Sequence, residues 1–448
     1  MGMMFGILLG LTFQVDQNPV HASVPPKRPN IVFVLVDDMG PGDLGCYGGN
    51  IAPTPNIDRL AREGTRFTRY YSAAPICSPS RCGLITGNFP ARWKITSFLQ
   101  TKAGNRECGQ VDFLDPNAPS LPRELASLGY ATAHIGKWHL GGGRDVENPP
   151  KFRDYGYQLG LGTYESPEPA APLGLKTTPW GKELEPGQVP RHHRTKWMVD
   201  QTLKFIAEHK AKPCFVNLWL DDVHDPWVPE GDKNLPKGNP KPRLSAVIAE
   251  LDYQVGRLVK GLPENTLLIF ASDNGALPTL QGQRTMGFRG SKLSLYEGGI
   301  RMPFLVRWPG KVPAGKVNET TVIAAVDMFP SIMEIVGIQK PVGYPGDGED
   351  LSKALLGQNV SRTKSLFWEY GRNETSFRFP MAKDRSPSLA MMEGDWKFLC
   401  NHDGSGEELY NLAKDPCEKD NLVQSQKDRL KSMKSALLDY WKQMPKLN

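Results

Sequence analysis

The sequence predicts an α/β fold: a large sheet flanked by helices, followed by a smaller C-terminal α+β unit of antiparallel strands and a terminal helix. Three observations carry that expectation. Residues 30–36, 215–220 and 266–271 are near-continuous apolar runs, as expected of strands covered on both faces. Between them, residues 195–209 put Val199, Leu203 and Ile206 on one side, and 244–258 carry a stripe from Leu244 to Leu258, both helical spacings. Past a Pro/Gly-rich stretch at 342–350, short β-type runs appear at 366–370, 388–392 and 396–399, then the helical stripe Leu430, Met433, Leu437, Leu438, Trp441. The chain divides accordingly into a leader (1–22), a large domain (23–360) and a C-terminal subdomain (361–448).

A chain of 448 residues has ample core for this division, and its charged fraction of 23% is ordinary for a globular protein. The net charge of +6 is spread along the chain with no dense Lys/Arg run. That argues against a nucleic-acid partner and is compatible with an anionic substrate. At the amino end, the apolar run 3–11 is too short to span a bilayer, and Val20-His21-Ala22 offers a small-residue cleavage site. The expectation is an exported protein, secreted or periplasmic, with no membrane span once the leader is removed; an uncleaved anchor and a misassigned start are the other readings of that run.

Taken in order, the elements bring chemistry to their ends. The strand at 30–36 stops at Asp37-Asp38, two carboxylates that repel each other unless a cation sits between them. Strand ends are also where open α/β sheets bind ligands. A helix opens at Thr54-Pro55, with Ile57, Leu60 and Ala61 as its apolar side. Cys77 begins a turn passing into a helix, where backbone N–H groups favour an anion, and Arg81 follows one turn later. A helix is expected at 121–128 and a strand at 131–135, the latter leading to Lys137 and His139, two apart and so on one face of an extended segment. Residues 163–194 are rich in Pro and Gly with little periodicity, which suits a pocket entrance that shapes substrate choice. The strand at 215–220 ends at 221–226, which contains His224. The strand at 266–271 ends at Asp273-Asn274, hard oxygen donors suited to Ca²⁺ or Mg²⁺. A helix is expected at 327–335. Taken singly, each cluster also reads as a solvated loop or a buried small side chain.

Read together, the motifs are more specific. Cys77-x-Pro79-x-Arg81 with Leu84-x-Thr86-Gly87 resembles the signature of the type I sulfatases, in the alkaline-phosphatase-like superfamily. From about Pro29 to the end, other segments resemble that family in its order: Asp37-Asp38, the run from Gly42 to Gly48, Thr54 to Leu60, Gly136-Lys137-Trp138-His139-Leu140-Gly141, Ser272-Asp273-Asn274-Gly275, Phe288 to Lys292, Tyr296 to Pro303, and a closing run from Glu408 to Glu418. The resemblance implies a mixed, mostly parallel sheet and hydrolysis of a sulfate monoester, with a sulfated carbohydrate as the expected substrate. It also implies that a maturation enzyme oxidises Cys77 to formylglycine, whose hydrated aldehyde attacks the ester. One Ca²⁺ per chain is expected on Asp37, Asp38, Asp273, Asn274 and an oxygen of modified Cys77, since three carboxylates without a Cys or His partner favour calcium over zinc. Arg81, Lys137 and Lys292 would neutralise the sulfate oxygens, His139 would manage the hydrate's proton, and His224 or Lys292 would protonate the departing alcohol. Glu297 and Arg301 are expected to be structural. Residues 221–226 depart from the family's His-x-Pro-His-x-Pro, with Asp221 for the first histidine and Val223 for the proline.

With Cys77 converted, Cys46, Cys82, Cys108, Cys214, Cys400 and Cys417 remain, enough for up to three disulfides. Cys400–Cys417 is the first pair to expect, with reduced thiols as the alternative. Asn318, Asn359 and Asn373 head sequons relevant to a eukaryotic secretory route. Two other functions fit the same residues: a phosphate or phosphonate monoester hydrolase, and a non-catalytic protein that binds sulfated glycans.

Overall fold

Strand β1 (Asn30–Val36) lies at the centre of a nine-stranded sheet. The computed structural model describes residues 1–2, 28–173, 187–236, 238–339, 341, 343–344, 346–371 and 384–446. The expected leader, the Asn373 sequon and part of the 163–194 segment therefore lie outside the described residues. The other strands of the large sheet are β2 (Thr65–Tyr71), β3 (Ala131–Gly136), β4 (Leu159–Gly162), β5 (Cys214–Trp219), β6 (Thr266–Ser272), β7 (Arg301–Arg307), β8 (Lys316–Asn318) and β9 (Ile323–Ala324). Their spatial order is β4-β3-β5-β1-β6-β7-β2-β8, with β9 also paired to β2. Only β7 runs against its neighbours, so the sheet is mixed and mostly parallel.

The alternation of β1 explains the layers. Ile31, Phe33 and Leu35 enter one core; Val32, Val34 and Val36 enter the other. The second core is covered by α1 (Pro55–Glu63), α5 (Arg194–Glu208) and α6 (Lys241–Gly261) through Ile57, Leu60, Val199, Leu244 and Leu251. The first is covered by α2 (Cys77–Thr86), α4 (Leu121–Ser127) and α8 (Met328–Val336). Short helices α3 (Lys102–Glu107), α7 (Glu297–Ile300) and α9 (Ser352–Leu355) complete the body. Each buried leucine- or valine-sized side chain contributes about 1.5–3 kcal/mol.

Strands β10 (Leu366–Glu369), β11 (Leu389–Glu393), β12 (Trp396–Cys400) and β13 (Glu408–Asn411) form an antiparallel sheet in sequential order. One face of it, including Trp368, Met392 and Leu399, joins the main core; the other packs on Met433 and Leu437 of α10 (Lys427–Gln443).

Several strands escaped the periodicity reading, among them β2 and β7. β2 alternates with Arg66 and Arg69, and β7 contains Pro303, so neither forms an apolar run. Proline is tolerated inside the sheet because the register skips there: Phe67 pairs with Phe304 and Tyr70 with Met302, leaving a bulge at Thr68 and Arg69 opposite the missing N–H.

The expected disulfides do not form: none of the seven cysteines is bonded to another. Cys400 packs into the helix-facing core of the small sheet, while Cys417 is half-buried on the loop beyond β13. Asn318 is buried, with its side chain bonded to Thr321 Oγ1 and Gln358 O. Its sequon is therefore closed to modification in the folded chain. Among the described residues no helix is long and apolar enough to cross a membrane.

Candidate active site

Parallel neighbours end at one edge, so the sheet delivers its functional groups to a single place. β1 leads into Asp37 and Asp38, β6 into Asp273 and Asn274, β3 into Lys137 and His139, and β5 into the loop carrying His224. Backbone bonds lock that edge: Asp37 N donates to Asp222 O at 3.0 Å, and Val223 N donates to Asp37 O at 2.8 Å. From above, α2 brings Cys77 as its first residue after an extended Ile76. Asp38 adopts φ 59°, a left-handed conformation that turns the second carboxylate back toward the first.

Cys77 Sγ lies 3.5 Å from Asp37 Oδ1, 3.3 Å from Lys137 Nζ and 3.8 Å from Lys292 Nζ. Lys137 donates to Asp37 Oδ2, and Lys292 Nζ sits 2.6 Å from Asp38 Oδ1 and 2.8 Å from Oδ2. Arg81 clamps Asp273 Oδ2 through Nε (3.1 Å) and Nη2 (2.8 Å), while its Nη1 donates to Lys137 O at 2.8 Å. Ser80 Oγ holds the Asp273 carbonyl. Three carboxylates are thus matched by three cations in a buried set. A buried charge persists only when paired in this way.

Burial alone would raise the Asp37 pKa, but the Lys137 ammonium, helped by the Arg81 guanidinium, holds it well below the usual carboxylate range. The Cys77 thiol is pushed up to about 12, chiefly by burial. An unmodified Cys77 is therefore a neutral thiol and a poor nucleophile.

The two histidines present opposite ring atoms. His139 Nε2 donates to Leu99 O at 3.0 Å, leaving Nδ1 buried with no partner among the described residues. His224 Nδ1 donates to Asp225 O at 2.5 Å, and its Nε2 is 3.7 Å from Asp38 Oδ2. Burial keeps both rings neutral, bringing the His224 pKa down to about 4. His139 takes φ 52°, so Lys137 and His139 do not share the face of a regular extended segment; the chain turns between them, and both still border the site.

Ligand atoms of Asp37, Asp38, Cys77 and His224 all fall within 4.8 Å of one another. Asn274 Nδ2 donates to Asp38 Oδ1 at 2.7 Å, whereas its Oδ1 is buried without a partner among the described residues. The structure therefore gathers the expected residues from positions 37 to 292.

Sequence reasoning missed the braces around them. Arg191 Nη1 meets Asp222 Oδ1 at 2.7 Å and Asp221 Oδ1 at 3.3 Å, and its Nη2 donates to Asp221 O at 2.8 Å. Arg194 Nη1 reaches Asp221 Oδ2 at 3.3 Å. Asp221, where the family pattern has histidine, is an anchor for the loop that presents His224. The paired carboxylates at the end of β5 were the available signal, but their arginine partners lie in an aperiodic stretch. A second brace joins Arg284 to Asp43 (Nη2–Oδ2, 2.7 Å) and to Asp38 O (2.8 Å). Its loop crosses Gly40 and Gly42 so closely that a Cβ there would lie 2.1 Å from Arg284 O and 1.9 Å from Gln283 O.

A buried cysteine at a helix start, faced by three cations and by acidic oxygens, is built to hold a tetrahedral anion against a reacting side chain, the task of an anion-ester hydrolase. The chain belongs to the type I sulfatase family and is a sulfuric ester hydrolase. Residues 29–338 match the Sulfatase family model, and residues 288–443 match the N-sulphoglucosamine sulphohydrolase C-terminal model. The chain is 29% identical to an N-acetylgalactosamine-6-O-sulfatase from Bacteroides thetaiotaomicron, covering 92% of this chain and 93% of the relative. It is 32% identical to an N-acetylgalactosamine-6-sulfatase from Canis lupus familiaris, covering 78% and 70% respectively. Among solved structures, Ps i-CgsB in complex with k-i-k-neocarrahexaose superposes with a TM-score of 0.75 at 26% identity, covering 94% of each chain. A Bacteroides thetaiotaomicron protein solved in work on the metabolism of multiple glycosaminoglycans gives 0.74 at 25% identity, covering 93% and 99%.

Proposed function

We propose that this exported sulfatase acts on a sulfated carbohydrate after a maturation enzyme converts Cys77 to formylglycine, with one Ca²⁺ per chain. The observation that carries the reading is the position of Cys77, the first residue of α2, within 3.8 Å of two ammonium groups and a carboxylate. The substrate class is supported by the relatives, two of which are named for N-acetylgalactosamine 6-sulfate chemistry, and by the carrageenan oligosaccharide bound to a structural neighbour.

The donor set fits a hard divalent cation. Asp37, Asp38, Asp273 and Asn274 offer oxygens only, and the unpartnered Asn274 Oδ1 is a buried acceptor that a cation would satisfy. When bound, the ion supplies Lewis-acid polarisation of the sulfate. Arg81, Lys137 and Lys292 surround the sulfate oxygens and stabilise charge that grows in the transition state. Asp273, by clamping Arg81, sets the guanidinium's angle. His139 Nδ1, with its lone pair left free by the bond from Nε2 to Leu99 O, accepts the proton of the formylglycine hydrate. The departing alcohol oxygen receives its proton from Lys292, or from His224 when that ring also carries a proton at Nε2; both flank Asp38.

The test is the mass of the tryptic peptide from Tyr70 to Arg81 in protein from its native host, paired with hydrolysis of sulfate and phosphate esters. Loss of sulfur and two hydrogens for one oxygen, with preference for sulfate, is the expected outcome. Active native protein carrying only the cysteine form would overturn the reading.

A further inference from the structure

Beside Lys137 and His139 the backbone is unusually strained. His139, Arg144 and Glu165 adopt φ values of 52°, 47° and 47°, and Gly141, Gly142 and Gly143 between them are also left-handed. A non-glycine residue in that region is strained, so surrounding contacts must impose the conformation, and such clusters mark functional sites.

Those contacts converge on one ring. Arg144 Nε meets Glu165 Oε1 at 2.5 Å, and Arg144 Nη2 donates to Tyr164 Oη at 2.5 Å. His139 N donates to Tyr164 O at 3.3 Å. The Tyr164 ring packs against the His139 ring, centroid to centroid 4.4 Å at 66°. The Lys137 ammonium and the Arg144 guanidinium lie 5.5 Å and 5.8 Å from the same Tyr164 centroid. One aromatic ring therefore separates two residues of the proposed sulfate site from a second, more exposed cation. Glu165 is buried at 1% exposure, whereas the Arg144 side chain remains 26% exposed. The pair is thus anchored in the protein at one end and open to solvent at the other.

With Nε and Nη2 engaged, Nη1 has no hydrogen-bond partner among the described residues and is the edge of the guanidinium left for a ligand. The Glu165 carboxylate offsets the arginine's charge, so the element offers directed N–H donors rather than a strong long-range field for a second anion. Such a planar donor edge beside an aromatic face suits the hydroxyl groups and C–H face of a sugar ring.

We propose that Arg144, held by Glu165 and Tyr164, is the specificity element of the leaving-alcohol subsite, and that it binds ring hydroxyls of a neutral sugar carrying the scissile sulfate. This rests on the proposed sulfatase function. It adds a recognition residue to the site and places the alcohol on the Tyr164 side of Lys137.

The test compares N-acetylgalactosamine 6-sulfate with 4-nitrophenyl sulfate, an ester without a sugar, using mature calcium-loaded protein. In Arg144→Ala the saccharide-to-aryl ratio of kcat/KM falls about tenfold or more, mainly through KM, as expected for lost hydrogen bonds to a charged donor. Tyr164→Phe, which removes the bond to Nη2, moves the ratio in the same direction by less. Arg144→Lys recovers little of the ratio, because an ammonium lacks the planar fork. Equal losses on both esters through kcat would mean that Arg144 only supports the fold and would overturn the proposal. So would wild-type protein that cleaves the aryl ester but not the sugar. Wild-type protein with Cys77 converted that cleaves neither ester would overturn the sulfatase reading itself.

Discussion

Lys397→Met removes the cation shared by two buried carboxylates at the junction of the two sheets. Lys397 Nζ lies 2.9 Å from Glu297 Oε1 and 2.9 Å from Glu418 Oε1, and none of the three side chains is accessible. After the substitution Glu297 still has Tyr71 Oη at 2.9 Å and Arg301 Nη1 at 3.4 Å, whereas Glu418 retains the Glu297 N–H at 2.7 Å. Leaving a buried charge without its partner costs about 3–5 kcal/mol. Protonation limits that loss. Burial pushes the Glu418 carboxyl up to about 7 against the pull of Lys397, and removing the lysine raises it further. An acid whose folded pKa is raised binds extra protons in the folded state. Its contribution is complete below the unfolded value of about 4.3 and is lost as pH rises through the folded value. In the variant this decline therefore extends to higher pH, at about 1.4 kcal/mol per pH unit. Urea unfolding followed by tryptophan fluorescence will show the full penalty at about pH 8, and a penalty smaller by at least ~1 kcal/mol at about pH 5.5. Adding Glu418→Gln will recover much of the loss at the higher pH. A penalty below ~1 kcal/mol at about pH 8, or one independent of pH, would refute the reasoning.

Other consequences are direct. Cys77→Ala will abolish ester hydrolysis while leaving the Tm within a few degrees, measured by turnover and calorimetry, because only a small buried side chain is trimmed. Removing the proposed calcium with a chelator will lower the Tm, and Asp37→Asn will blunt that calcium-dependent shift, since a ligand bound to the folded state adds stability by mass action. Arg191→Met will leave Asp221 and Asp222 without their shared guanidinium and lower both Tm and kcat; Arg191→Lys will recover less than half of the loss, because one ammonium does not span both carboxylates and the Asp221 carbonyl. In eukaryotic expression, peptide mapping will find Asn318 unglycosylated, as its amide is buried and bonded.

What the sequence determined by itself is local chemistry and the elements that carry it. Apolar, β-branched runs before Asp37 and Asp273 announced buried strands with acidic ends, and Cys77 before an apolar turn announced a helix start. Motifs in family order marked the candidate site residues because each consists of contiguous positions. Tertiary structure alone decided which residues meet across the chain. Periodicity does not report strand order, so it gave no sign that β7 runs antiparallel between β6 and β2, or that a bulge opposite Pro303 makes room for it. Nor did it give the joining of Arg191 to Asp221 and Asp222, of Lys397 to Glu297 and Glu418, or of Arg144 to Glu165 beside Tyr164. Even the cysteines needed the fold: Cys400 faces a helix inside its own small core, so proximity in sequence to Cys417 did not become a bond. The physical reason is common to all of them. Propensity and capping act over a turn or two of chain, whereas a buried charge is satisfied by whatever the sheet topology sets beside it.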